Sequence, residues 1–396
     1  MESDVQDTPA AEHYLNRLLP LPYRIATLIV LGFWLYPRTL TLLTSPPTSI
    51  DLPSLLRLPA SQTTARSATR LAATLTAPLL LSLALHALRP SPWLPTTYLL
   101  FIPLALLAPT AALSRRGRGR FLSTLRRVSV GGLAGEAEGR FADVLVADVW
   151  TSYAKPGADL WVVGCGVFKG GFGGGAGEGR VDRACGGLWV VPVLVGVPFL
   201  IRFRQCIIEA LRARDHGKTG FQHMANALKY ATAFPVLIVS ALKRESHPDR
   251  MWASETGLSR LWVLAVFTNS LYSFYWDVTK DWDLTLFCSA AERNAPDQPW
   301  GLRRQRVFQP DVLYYAAIVV DLLLRCTWSL KLSVHLYHLN DLEGGIFIIE
   351  LLEILRRWMW VFLRVETEWV RQRGAVTLDS VPLIDTNGPH AKIDDD

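Results

Sequence analysis

Residues 312–336 read VLYYAAIVVDLLLRCTWSLKLSVHL. The run is long enough to cross a bilayer core as a helix, which takes about 20 apolar residues. Ionisable groups interrupt it, Asp321 and Arg325 near its middle. In a helix Asp321, Arg325 and Trp328 fall at i, i+4 and i+7, one stripe along one face. A charge at the centre of a spanning helix costs at least ~2.5–3.5 kcal/mol. Such a stripe persists only beside a partner, a substrate or a water-filled path. The stretch therefore predicts an all-α polytopic bundle with a polar route through it.

The pattern continues outward. In 224–242, Asn226, Lys229 and Tyr230 share a face at i, i+3 and i+4. In WDVTKDW, Asp277 and Asp281 are i and i+4 at the end of the apolar run 257–276. In 345–364, Glu353 precedes Arg356 and Arg357 by three and four residues, and the helix is expected to reach Arg364, Glu366 and Glu368.

The cations suggest an anionic cargo. Arginine keeps its charge and offers a planar fork to an oxyanion. Nearby carboxylates hold the arginines in place and weaken binding enough for cargo to leave. Trp328, about one turn beyond Arg325, can stack on the guanidinium or gate the route. A plainer reading stands beside this one. Asp321–Arg325 and Glu353–Arg357 can be closed intrahelical pairs, and Asp277 and Asp281 solvated helix-end residues. Asn226 and Tyr230 can be ordinary interhelical hydrogen bonders. Glu366 and Glu368 are expected in solvent. His335 and His338 share a face but lack a third ligand, so they read as interface residues rather than a metal site.

Composition agrees with a membrane protein. Hydrophobic residues make up 50% and charged residues 19%, below the ~25% of soluble domains. Mean hydropathy is positive. The 14 tryptophans suit interfacial belts. The net charge of +6 comes with no basic tract interleaved with aromatics, so nucleic-acid binding is not expected. Cys165, Cys185, Cys206, Cys288 and Cys326 show no metal-ligand spacing. Whether Cys165 and Cys185 pair across the loop between them stays open. The acidic segment 1–22 does not resemble a signal peptide, and the first apolar run is expected to stay as an anchor. AKIDDD carries no lumenal retrieval tetrapeptide.

About nine candidate spans follow from run length: 23–45, 71–89, 94–113, 143–168, 187–205, 224–242, 257–276, 312–336 and 345–364. The first is broken by Pro37 and Arg38, the fourth by Asp148, Lys155, Pro156 and Asp159. The Pro-rich stretch 46–60 is too short to cross alone. Arg115-Arg116-Gly117-Arg118-Gly119-Arg120 with Arg126-Arg127 marks a cytosolic loop. Alternation then places 202–220, 277–311 and the C-terminus in the cytosol, with the basic loop 243–256 dissenting. The Gly-rich segment 169–180 has neither a preceding strand nor a Walker lysine, and reads as a flexible lumenal loop. Residues 373–396 read as a disordered tail.

The same residues lie in strings that resemble a known family. FQHMANALKYATAFP, LYSFYWDVTKDWDL, YYAAIVVDLLLRCTWSL and LEILRRWMWVFLRVETEW resemble the EXS domain, and RFADVLVADVWTSYAKPGADL resembles its start. That domain occurs in the phosphate exporter that also serves as a retrovirus receptor, and in the Erd-type Golgi protein of fungi. The likeness covers roughly 140–372, after N-terminal helices and a basic loop over 23–139. It implies a phosphate pathway through Asp148, Lys229, Tyr230, Asp277, Asp281, Arg325, Trp328, Glu353, Arg356 and Arg357. Thr151 and Ala154 stand where the exporter has asparagine and serine, which puts the upstream rim of the site in doubt. No SPX-like stretch is seen, so control by inositol polyphosphates is not expected.

The resemblance implies Golgi phosphate recycling that supports retention of glycosyltransferases and lumenal ER proteins. The expectation is passage of inorganic phosphate from Golgi lumen to cytosol, without enzyme activity, metal or cofactor. Arg325, Arg356, Arg357 and Lys229 would bind the anion. Asp277, Asp281, Asp321 and Glu353 would position those cations, and Trp328 and Tyr230 would line the route. The alternative is a non-transporting adaptor that holds glycosyltransferases or their sorting factors through the basic loop 202–220 and the tail. A homo-oligomer stays open.

Overall fold

The computed structural model describes residues 16–57, 62–107, 115–135, 138–168, 183, 185–245, 254–327 and 343–379. Among them the regular structure is helical and no strand occurs. The helices are α1 (Leu21–Thr44), α2 (Leu52–Leu55), α3 (Gln62–Leu88), α4 (Trp93–Leu107), α5 (Arg115–Arg126), α6 (Arg140–Ser152) and α7 (Ala154–Phe168). They continue as α8 (Val190–Asp215), α9 (Phe221–Ala231), α10 (Ala233–Glu245), α11 (Glu255–Trp276), α12 (Ala290–Arg293), α13 (Val312–Arg325) and α14 (Glu343–Asp379).

The helices α1, α3 and α4 form an N-terminal bundle around Tyr23, Leu75, Tyr98 and Ile102. Hydroxyls join it where apolar packing alone gives little specificity between lipid-facing helices. The Tyr23 hydroxyl lies 2.6 Å from Ser82 Oγ, and Tyr98 donates to the Leu75 carbonyl at 2.6 Å. α1 also packs on α7 and α14, tying this bundle to the rest. The largest core gathers Leu43, Ile50 and Leu55 with Trp282, Tyr314 and Trp360. The Pro-rich stretch 46–57 thus packs through Ile50, Leu52, Leu55 and Leu56 against this core, its prolines Pro46 and Pro47 exposed.

Breaks in the helices position the site. Pro156 has no amide to give the Ser152 carbonyl, so the expected span 143–168 divides at Tyr153 into α6 and α7. Pro235 does the same to the Ala231 carbonyl, and 224–242 divides at Thr232 into α9 and α10. The Thr232 hydroxyl closes the last turn of α9, donating to the Lys229 carbonyl at 2.7 Å. α11 widens into a π-helical turn over Asp277–Asp281, a device common at functional sites. Broken or irregular backbone at membrane depth is tolerated only where protein or a polar cavity satisfies it.

Four helical stretches are long and apolar enough to cross a membrane on length and composition: Leu21–Thr44, Ala65–Leu88, Val190–Asp215 and Phe221–Arg244. Residues 202–215 belong to α8, so the basic segment there is helix for most of its length rather than loop. The last helix runs to Asp379, past the expected tail boundary at 373. Pairings one turn apart support it there: Arg373 stacks on Trp369, and Gln372 reaches Glu368. Cys165 and Cys185 form a disulfide with Cα atoms 6.1 Å apart. The Gly-rich segment 169–180, Trp328, His335 and His338 lie outside the described residues, as does the end of the 312–336 run from residue 328.

Candidate functional site

Asp277, on the π turn after α11, has no solvent exposure and faces cations from three helices. Lys229 Nζ of α9 is 2.9 Å from its Oδ1. Arg325 of α13 contacts Oδ2, and Arg356 of α14 lies 3.7 Å from the same oxygen. Widening the helix at Asp277–Asp281 lets both acids face Lys229, which is also 3.2 Å from Asp281. The solvated helix-end alternative does not hold for Asp277.

Asp321 and Arg325 pair along α13 as the i, i+4 spacing expects, at 2.9 Å. The pair is not closed, because Asp321 Oδ1 also accepts from Arg356 Nη1 at 2.8 Å. Glu353 chelates Arg356, with Nε–Oε2 at 2.8 Å and Nη2–Oε1 at 2.6 Å. The expected Glu353–Arg357 pair is therefore replaced by Glu353–Arg356. Arg356 faces α13, whereas Arg357 faces the end of α6, so only the first can reach both acids.

Arg357 has a different kind of seat. Its Nε donates to Ser152 Oγ at 3.1 Å and its Nη2 to Thr151 Oγ1 at 3.3 Å. Ser152 in turn donates to Glu353 Oε1 at 2.8 Å, which leaves its lone pairs for Arg357. The guanidinium stacks 4.6 Å from the Trp360 ring centroid. Arg357 is buried, no described carboxylate pairs with it, and its Nη1 has no hydrogen-bond partner. Thr151, where the family resemblance left the rim in doubt, thus supplies a hydroxyl to the site. Ala154 is buried and supplies none.

Asp148 and Tyr230 meet on the far side of Lys229. The Tyr230 hydroxyl donates to Asp148 Oδ1, and Arg202 Nε reaches the same oxygen at 2.7 Å. The Arg202 guanidinium lies 5.0 Å from the Tyr230 ring centroid and Lys229 Nζ lies 5.5 Å from it. Reading by sequence assigned Arg202 to the solvent-facing basic stretch. It is buried, because α8 carries straight through that stretch. The usable signal was Arg202, Gln205 and Glu209 at i, i+3 and i+7 behind the apolar run VVPVLVGVPFLI.

Further charges extend the network along α14. Arg364 is 3.8 Å from Asp281 and 3.2 Å from Glu368. Towards the disulfide, Lys155 bridges Asp159 at 2.9 Å and Glu350 at 3.6 Å, and Arg183 holds Asp159 at 2.5 Å. Glu366, expected in solvent, is fully buried. It accepts from the Tyr314 hydroxyl and pairs with Arg303 at 2.5 Å, so it anchors the loop before α13 onto α14. Glu368 keeps partial exposure, 23% of its side chain.

A helical membrane protein with a largely buried ion network gathered along one long helix is the class that fold and site define. The EXS family profile matches residues 19–370, and the chain belongs to the EXS family. It is a multi-pass membrane protein of that family. It is 33% identical to Protein ERD1 homolog 2 of Schizosaccharomyces pombe over 227 residues, 57% of this chain and 54% of that one. It is 33% identical to Protein ERD1 of Kluyveromyces lactis over 236 residues, 57% of this chain and 58% of that one. It is 32% identical to human Solute carrier family 53 member 1 over 182 residues, 45% of this chain and 24% of that one. The chain thus spans little over half the length of the ERD1 relatives it matches.

Proposed function

We propose that this protein conducts inorganic phosphate across the Golgi membrane, from lumen to cytosol. The observation that carries the reading is Arg357: a buried guanidinium seated on hydroxyls, paired to no carboxylate among the described residues, and with one unpartnered N–H. A buried charge left this way is costly unless an anion completes it. Membership of the EXS family and likeness to a solute carrier support transport as the class.

Arg357, with Ser152 and Thr151, receives the anion. Arg325, Arg356 and Lys229 form the next cationic positions, each already engaged by a carboxylate. An incoming phosphate competes with Asp277, Asp321 and Glu353 for these cations. That competition keeps residence short, which a conducting path requires. Asp148, Asp281 and Tyr230 set the position of Lys229 and Arg202, and Trp328 lines or gates the route beyond Arg325. The protein needs no cofactor and performs no chemistry on its cargo.

The shorter and more polar helices complete about nine crossings, the disulfide lies on the lumenal side, and the C-terminus is cytosolic. Recycling of lumenal phosphate supports retention of Golgi glycosyltransferases and ER proteins as a consequence of transport. The test is efflux of phosphate from proteoliposomes holding the purified protein. Flux above protein-free liposomes supports the reading. No flux from monodisperse protein, in lipids where another EXS-family transporter is active, overturns it in favour of the adaptor.

A further inference from the structure

The helix α5 reads RRGRGRFLSTLR over Arg115–Arg126, five arginines with no acidic residue. Phe121, Leu122 and Leu125 fall at i, i+1 and i+4, so they share one face. They are 38%, 44% and 38% exposed. Arg118 sits one turn ahead of that face, Arg126 beside it and Arg120 away from it, and Arg120 and Arg126 are exposed. α5 packs chiefly on the π-helical turn that follows it, Arg127–Gly131. That turn is firmly held. Arg127 grips the buried Asp143 of α6 through two hydrogen bonds, at 2.6 and 2.7 Å. Val128 is buried against Ala147 and Ile201, and Arg204 of α8 donates to the Val130 carbonyl. α5 thus leaves a fixed foot on α6 and α8 with its apolar face exposed among the described residues.

Such a helix is poorly suited to water alone. It is short, Gly117 and Gly119 lower its propensity, and Arg116 and Arg120 repel at i, i+4. An apolar stripe set among arginines is what a helix lying in a bilayer interface carries. Phe and Leu enter the acyl boundary, and the arginine stems reach up to anionic headgroups. The expected span 94–113 ends just before Arg115, so α5 starts at the level of a bilayer surface. We infer that α5 is an interfacial arm that docks on an anionic lipid surface. Phe121, Leu122 and Leu125 enter the acyl boundary, and the arginines lie among the headgroups. The attraction is diffuse, about fivefold in the docked-to-free ratio for each arginine near the surface, and needs no single lipid species. Through Arg127 and Asp143 the arm ties α6, which carries Thr151 and Ser152, to the leaflet. The inference is independent of the phosphate reading.

The test is spin-label accessibility in the full chain, held in nanodiscs of phosphatidylcholine alone or with added phosphatidylserine. Cys206, Cys288 and Cys326 are replaced by serine, and the Cys165–Cys185 disulfide is kept. A nitroxide is attached to Leu122→Cys, Leu125→Cys or Ser123→Cys. In phosphatidylserine discs the labels at positions 122 and 125 are open to oxygen and closed to a water-soluble nickel chelate. The label at 123, on the opposite face, shows the reverse. In phosphatidylcholine discs the docked fraction at 122 falls. Arg126→Gln lowers the docked-to-free ratio about fivefold in phosphatidylserine discs, and added salt lowers it by screening. Trypsin checks the unmodified protein: cleavage after Arg120 and Arg126 slows in phosphatidylserine discs relative to cleavage after the exposed Arg304. Labels at 122 and 125 that stay open to the nickel chelate in phosphatidylserine discs leave the helix in water and overturn the inference. Labels closed to both reagents put a second copy of the chain on that face and overturn it too. Equal docking in the two kinds of disc removes the role of the arginines and overturns the anionic surface as the partner.

Discussion

Lys229 and Asp277 are 48 positions apart in sequence and 2.9 Å apart in space, 5% and 0% exposed. Burying such a pair gives little net stability, but removing one partner leaves an uncompensated charge and costs about 3–5 kcal/mol. The two partners are not equivalent. Lys229 also holds Asp281, while Asp277 separates Lys229, Arg325 and Arg356. Asp277→Asn brings those cations together unshielded and lowers the unfolding temperature more than Lys229→Met. Thermal unfolding in detergent checks the order, and equal shifts contradict the hub role of Asp277.

Glu353→Gln frees Arg356 from its chelating partner and weakens the acceptor of the Ser152 proton. The anion is then held harder and let go more slowly. Phosphate flux shows a lower maximal rate together with a lower half-saturating concentration. A lower rate with weaker binding would mean that Glu353 instead supports the fold of the site.

The disulfide closes a loop with a sequence separation of 20 and holds Cys185 near Arg183, which pairs with Asp159. Closing a loop of this size stabilises by about 3 kcal/mol in the chain-entropy view. Reductant lowers the unfolding temperature of wild type and leaves the Cys165→Ser/Cys185→Ser variant unmoved. In sealed Golgi vesicles of a Cys206→Ser/Cys288→Ser/Cys326→Ser variant, the reduced Cys165 and Cys185 thiols stay hidden from an impermeant reagent until detergent is added. Labelling of intact vesicles would place this loop in the cytosol and reverse the topology.

Substitution tests whether retention follows from transport. Arg357 lies inside the bundle and offers nothing to a cytosolic partner. In cells, Arg357→Ala loses phosphate recycling and glycosyltransferase retention together, at normal protein abundance. Retention that survives lost transport makes the protein an adaptor.

Much of the site was legible because charges in apolar runs have few harmless explanations. The stripe of Asp321 and Arg325, the pair Asp277 and Asp281, and Lys229 beside Tyr230 all fall within one network. Partner choice was not legible. The i, i+4 rule favoured Glu353–Arg357, yet helix packing turned Arg356 towards Glu353 and left Arg357 on Ser152 and Thr151. Arg202 and Glu366 looked like surface charges because composition alone does not show where a helix stays packed. The divisions at Tyr153 and Thr232 were not legible from proline alone, because Pro37, Pro78, Pro103 and Pro198 lie inside unbroken helices.

The central claim is that Arg357 is the anion's seat. Phosphate efflux from proteoliposomes with wild type, Arg357→Ala and Arg357→Lys tests it most directly. The account predicts background flux for Arg357→Ala. It predicts reduced but measurable flux for Arg357→Lys, which keeps the charge and loses the planar fork. Wild-type flux from well-folded Arg357→Ala would contradict it.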